Sequence, residues 1–123
     1  MYTCVDFDGT VVDHRYPNIG QDVPHAIHIL KKLEVNNSLI LLTMRSGKFL
    51  DDAVNWFNHN EINLYGINHN PSQKEWTDSP KVYGDIYIDD AAIGCPLIYL
   101  EGFSRSCVDW LVVYDEILKK YNI

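Results

Sequence analysis

Asp6 and Asp8 stand two residues apart in "CVDFDGTVVDH" (4–14), at the end of an apolar run and just before Gly9-Thr10. A second acidic pair, Asp89-Asp90, closes the run "DIYIDD" (85–90). Carboxylates that end buried strands are candidates for nucleophilic attack, for proton transfer, or for holding a hard cation. Four of them in a small space would suppress one another's ionisation unless a cation were present. Magnesium suits such a set, because it takes oxygen ligands and leaves room for a phosphate. The bland alternative, solvated acids at strand ends, requires separate strands to end alike by accident.

These acids need elements to position them. Tyr2–Phe7 reads as a strand with no polar alternation, as expected when both faces are covered. Residues 11–20 carry turn formers and read as a loop or small hairpin. Asp22-Val23-Pro24 reads as a helix start, followed by Val23, Ala26, Ile27, Leu30 and Leu33 at helical spacing. "SLILLT" (38–43) is a second strand, and Phe49, Ala53, Trp56 and Phe57 mark a second helix. "INLYGI" (62–67), "DIYIDD" and "PLIYL" (96–100) read as three further strands, and Val108, Leu111, Val112, Ile117 and Leu118 as a terminal helix. Alternating strands and helices predict an α/β, Rossmann-like parallel sheet of about five strands, in the order 3-2-1-4-5 with helices on both faces.

In such a sheet the first and fourth strands are neighbours, and ligands bind outside their carboxyl ends. Asp6, Asp8, Asp89 and Asp90 would converge there, with Thr43 at the end of the second strand facing them. Asp85 is excluded: three strand residues separate it from Asp89, which is about 13 Å along an extended chain.

The 123 residues are expected to form one domain, 1–123. Seventeen acids against ten Lys and Arg give a net charge of −7, which argues against an extended nucleic-acid track. Three cysteines without metal-ligand spacing (Cys4, Cys95, Cys107) read as reduced thiols. The N-terminus lacks a signal-like stretch and no apolar run is long enough to span a membrane, so a cytoplasmic location is expected.

With "DFDGT" (6–10), Thr43 in "LLTMRSG", a lysine before the fourth strand and "YIDD" (87–90), the chain resembles the haloacid dehalogenase (HAD) superfamily, in particular its small capless hydrolases of bacteria and phages. The resemblance implies a Mg²⁺-dependent phosphomonoester hydrolase working through an aspartyl-phosphate. Asp6 would be the nucleophile and Asp8 the proton shuttle. Metal ligands would be Asp6, Asp8 (through its carbonyl), Asp89 and Asp90. The phosphate would be held by Thr43, by the backbone around Gly9 and Met44, and by a lysine, with Lys81 preferred and Lys74 the alternative. Gaps too short for a lid imply no cap domain. The open crevice then admits bulky substrates or is closed by a neighbouring subunit of a homo-oligomer.

Substrate selection would fall to short elements at the same edge: Arg15 and Tyr16, Arg45, and His69. The expected partner is a small phosphorylated metabolite or nucleotide, with polynucleotide ends or phosphoproteins as alternatives. A phosphorelay receiver domain is disfavoured, since it needs its acceptor Asp after the third strand, where "LYGINHN" stands. A catalytically idle binding module is disfavoured by the intact acids. His25 and His28 lack a third ligand and read as helix-surface residues; Trp110 and Tyr114 read as packing.

Overall fold

The computed structural model describes residues 1–121. Its main sheet holds four parallel strands, β1 (Tyr2–Val5), β2 (Ser38–Leu41), β3 (Gly66–Ile67) and β4 (Ile86–Ile88), in the order β3-β2-β1-β4. Register pairs Val5 with both Leu41 and Ile88, so β1, β2 and β4 end level with one another. That levelling brings Asp6, Thr43 and Asp89 to one edge.

Helices α1 (Ala26–Glu34) and α2 (Gly47–His59) connect β1 to β2 and β2 to β3, and α3 (Trp110–Tyr121) follows β4. On α1, Ala26, Ile29, Leu30 and Leu33 recur on one face and are all buried. The helix stops where Asn37 donates through Nδ2 to the Leu33 carbonyl, at 2.9 Å. Its side-chain oxygen accepts from Thr3 Oγ1 on β1, so one residue ends the helix and ties it to the sheet.

All three helices share one core with Val5, Phe7, Leu39, Leu41 and Ile88, the residues on one face of the sheet. Cys4 and Ile40 point to the other face and stay outside that core. The expectation of helices on both faces is therefore corrected. Two successive right-handed crossovers in one direction put α1 and α2 on the same side. The opposite face is covered by the segment between β3 and β4, containing one 3-10 turn (Gln73–Glu75). Buried Gln73 holds that segment, donating to the carbonyls of Ser79 and Lys81 and accepting from Tyr83 N–H.

The fifth strand is a second correction. β5 (Leu97–Ile98) does not join the main sheet, but pairs antiparallel with β6 (Cys107–Val108), leaving β4 as an edge strand. Val108 therefore belongs to a strand, and α3 begins at Trp110. Its buried face is Trp110, Val113 and Ile117, whereas Leu111 and Val112 are exposed. Among the described residues no helix is long and apolar enough to cross a membrane. The cysteines are free, and burial pushes all three thiols up, Cys4 to about 11 with help from Asp85.

Candidate active site

β1 delivers Asp6 to the sheet edge, where its N–H donates to Ile88 O and extends the pairing by one residue. The chain then turns tightly. Thr10 and Val11 donate back to Phe7 O, and Gly9 takes a φ of 82°. Gly9 is required twice over: a side chain there would need the left-handed region, and its Cβ would collide with the Asp90 carboxylate. The turn is braced from behind. Trp110, fully buried, donates from Nε1 to Thr10 O at 2.7 Å, and Val108 N–H donates to Gly9 O.

Thr10 joins the two acidic strand ends. Its hydroxyl lies 3.1 Å from Asp6 Oδ2 and 3.4 Å from Asp90 Oδ1, and accepts from Asp90 N–H at 3.2 Å. Asp6, Asp89 and Asp90 each place a carboxylate oxygen within 4.8 Å of the others. Burial, with the charge of Asp89 next in size, pushes Asp6 up to about 8. Burial also raises Asp90, with the neighbouring carboxyl of Asp6 acting the other way. Three oxygens converging so closely form a donor set that suits a hard divalent cation.

Asp8 is different. Arg45 approaches it side-on, donating from Nε to Oδ2 and from Nη2 to Oδ1, both at 2.8 Å. The other Arg45 hydrogens go to the carbonyls of Asn18, Pro17 and Phe49, so all five donors are taken. The guanidinium also packs against the rings of Phe7 and Tyr16, 5.0 and 5.2 Å from their centroids. With its side chain 1% exposed, Arg45 is a clamp rather than the substrate contact expected from sequence. Because the Asp8 carboxylate faces Arg45, only the backbone carbonyl of Asp8 is left to join a cation site.

A cleft of about 500 Å³ is lined by Asp6, Asp8, Asp89, Asp90, Thr43, Met44, Arg45, His14, Tyr16, Ala91 and Arg105. Thr43 is oriented by its neighbours, its N–H donating to Asn68 Oδ1 and its hydroxyl accepting from Arg45 N–H. Met44 has its side chain fully exposed, leaving its backbone as the part that belongs to the site.

Four expected residues lie elsewhere. Lys81 sits over the Tyr87 ring, 5.7 Å from its centroid, in a cleft with Gln73, Trp76 and Tyr83. The fourth strand does begin at Ile86, as a role for Lys81 demands, but the preceding segment holds it against the sheet's other face. Lys74 and His69 line a neighbouring cleft whose Asn68 accepts from Thr43 N–H. Arg15 turns away, donating to Asp13 Oδ2 at 3.0 Å and towards Gly102 O. Asp85 accepts from Tyr2 N–H, at the far end of β1, in keeping with its exclusion. Among the described residues His25 and His28 join no metal-binding group.

Sequence reading missed Thr10, His14 and Arg105. Thr10 stands inside the "DFDGT" motif and could have been found there. His14 is adjacent to the expected Arg15. Arg105 lies in "GFSRSC" (102–107), where no motif marks it. It reaches the cleft because the β5–β6 loop is fastened to the loop after β1. Ser104 N–H and hydroxyl donate to Asp13, and the hydroxyl also contacts His14 O. Burial of Asp13 would raise its pKa, but these hydrogen bonds and Arg15 outweigh burial and hold it below the ordinary range.

The fold and cleft thus define an α/β protein with a four-stranded parallel sheet and a carboxylate cluster at its carboxyl edge. No protein-family model matches the chain, and no curated protein matches it. Among solved structures it is similar to a conserved protein from Bacteroides thetaiotaomicron, with 35% identity, 98% of this chain and 91% of that one covered, and a TM-score of 0.79. The chain belongs to the same family as that conserved protein.

Proposed function

We propose that the protein is a divalent-cation-dependent phosphomonoester hydrolase of the HAD type, acting on a small phosphorylated metabolite or nucleotide. The observation that carries this reading is the gathering of Asp6, Asp89 and Asp90 within 4.8 Å, in a cleft that Thr43 also lines.

Asp6, Asp89, Asp90 and the Asp8 carbonyl would hold Mg²⁺, which when bound neutralises their charge and that of the phosphate. Asp6 attacks phosphorus through an ionised oxygen, so the proton that burial favours on it must first leave. The P–O bond to the leaving group breaks, and an aspartyl-phosphate forms on Asp6. Asp8 gives a proton to the departing oxygen, and later takes one from the water that hydrolyses the acyl-phosphate. To do so it loosens from Arg45, which otherwise holds its carboxylate in place, and takes up the proton it will give from solvent. Thr43 donates its hydroxyl hydrogen to a phosphoryl oxygen, its own oxygen being fixed by Arg45 N–H. Thr10 orients Asp6 and Asp90.

The test is turnover of a panel of phosphometabolites and a generic aryl phosphate with Mg²⁺, beside Asp6→Asn. Hydrolysis by the wild type, lost in excess chelator and in Asp6→Asn, is the expected result. Turnover that survives either change would sink the assignment.

A further inference from the structure

The cleft has a charge problem that its own acids create. Four carboxylates line it, and of the two guanidinium groups there, Arg45 is spent on Asp8 and on three carbonyls. A divalent cation would offset part of the remainder, yet a phosphoryl dianion would still enter a negative site. A lysine normally expected to relieve this is not in the cleft: Lys81 lies over Tyr87, and Lys74 lines the neighbouring cavity.

Arg105 is the remaining cation on the cleft wall. It is exposed, and among the described residues no hydrogen bond or salt bridge holds its side chain, though its charge acts on Asp90 across the cleft wall. Its backbone is nevertheless held. Ser104, its neighbour, makes three hydrogen bonds of 2.9–3.1 Å to Asp13, which is only 1% exposed. A free guanidinium on a fastened loop can meet an anion with little further ordering of the chain, and its planar fork matches phosphate oxygens.

Resting on the phosphomonoester reading above, we propose that Arg105 holds the phosphoryl group of the substrate, replacing the lysine. Arg105 reaches the phosphate from the β5–β6 loop and Thr43 from the turn after β2, so the anion is gripped by two elements far apart in sequence.

The experiment is calorimetric binding of inorganic phosphate in saturating Mg²⁺, with Mg²⁺ affinity measured separately. Arg105→Ala should weaken phosphate roughly 10- to 100-fold, the loss of a charge-assisted contact, with Mg²⁺ affinity not weakened and melting temperature unchanged. Arg105→Lys should recover part of the loss, and Lys74→Ala and Lys81→Ala should bind like the wild type. Unchanged phosphate affinity in Arg105→Ala, an equal loss in either lysine variant, or no phosphate binding by the wild type would each overturn the proposal. Hydrolysis is scored on its own. A wild type that binds phosphate through Arg105 yet hydrolyses no ester fails the phosphatase reading alone; one that hydrolyses, with phosphate indifferent to Arg105, fails only this inference.

Discussion

The two walls of the cleft solve the same problem in opposite ways. On one, Asp6, Asp89 and Asp90 crowd together with no basic side chain among the described residues hydrogen-bonded to them, and Asp6 is pushed up to about 8. On the other, Asp8 is met by a guanidinium whose every donor is satisfied. Asp6 and Asp8 are two residues apart, so local sequence cannot distinguish them. The difference is made by what folds over each: the end of β4 over Asp6, and the start of α2 with the 15–18 loop over Asp8. One wall is complete within the chain, and the other is poised to take something from outside it.

Breaking the complete wall should have the largest effect on stability. Arg45→Ala leaves Asp8 and three carbonyls without their donors, and loss of one partner of a buried ion pair typically costs roughly 3–5 kcal/mol. Urea unfolding should show a loss of that order. Arg45→Lys should rescue little, since an ammonium cannot span both oxygens of Asp8 and the carbonyls together. The double variant Arg45→Ala/Asp8→Asn should be less unstable than the sum of its parts. Simple additivity would mean that the pair is not coupled and that the clamp acts through packing and its bonds to the three carbonyls.

The incomplete wall should show itself through pH. Folded Asp6 keeps its proton up to about 8, whereas in the unfolded chain it loses it near 3.8. Between those values the folded state binds more protons, so this group's contribution is full below about pH 4 and declines as pH rises to about 8. Metal-free protein should therefore lose melting temperature across that window more steeply than Asp6→Asn, which has no proton to lose. Saturating Mg²⁺ should remove the excess slope, because a cation favours the ionised cluster. Parallel slopes for wild type and variant, without metal, would show that Asp6 is not held protonated.

How far the sequence revealed this site follows from which contacts are local. Asp6 and Asp8 lie in one motif, and Thr43 and Asp89-Asp90 each end an apolar run, so periodicity and spacing were enough to bring them together. The strands β1, β2 and β4 were legible for the same reason. What escaped depends on distant partners. Arg45 looks like a free cation beside Thr43, and only residues 8, 17, 18 and 49 reveal it as a clamp. Lys81 has suitable spacing, but Gln73 ties its segment to the wrong face. The two-residue strand β6 has too few residues for any period, and reading Val108 as helix rotated the expected face of α3 onto exposed Leu111 and Val112. Arg105 was invisible because its place in the cleft is set by a hydrogen bond pattern spanning about ninety residues, from Ser104 to Asp13.

The smallest effect concerns the brace behind both walls. Trp110→Phe keeps most of the ring's packing, but leaves the Thr10 carbonyl without the indole N–H. A buried acceptor left unpaired costs roughly 1–3 kcal/mol, so a modest loss of stability is expected. Trp56 supplies the contrast. Its indole donates to exposed Asp22, where water replaces the lost partner, so Trp56→Phe should lose only ring packing against Phe7 and Phe57, and less stability than Trp110→Phe. The two variants should also part in function. Thr10 carries the link between Asp6 and Asp90, so relaxing its backbone should weaken Mg²⁺ binding in Trp110→Phe and leave it intact in Trp56→Phe. If both tryptophans lose equal stability and neither disturbs Mg²⁺, the turn at 7–11 holds its shape without the indole, and the acidic wall owes its geometry to Gly9, Thr10 and the Val108 contact.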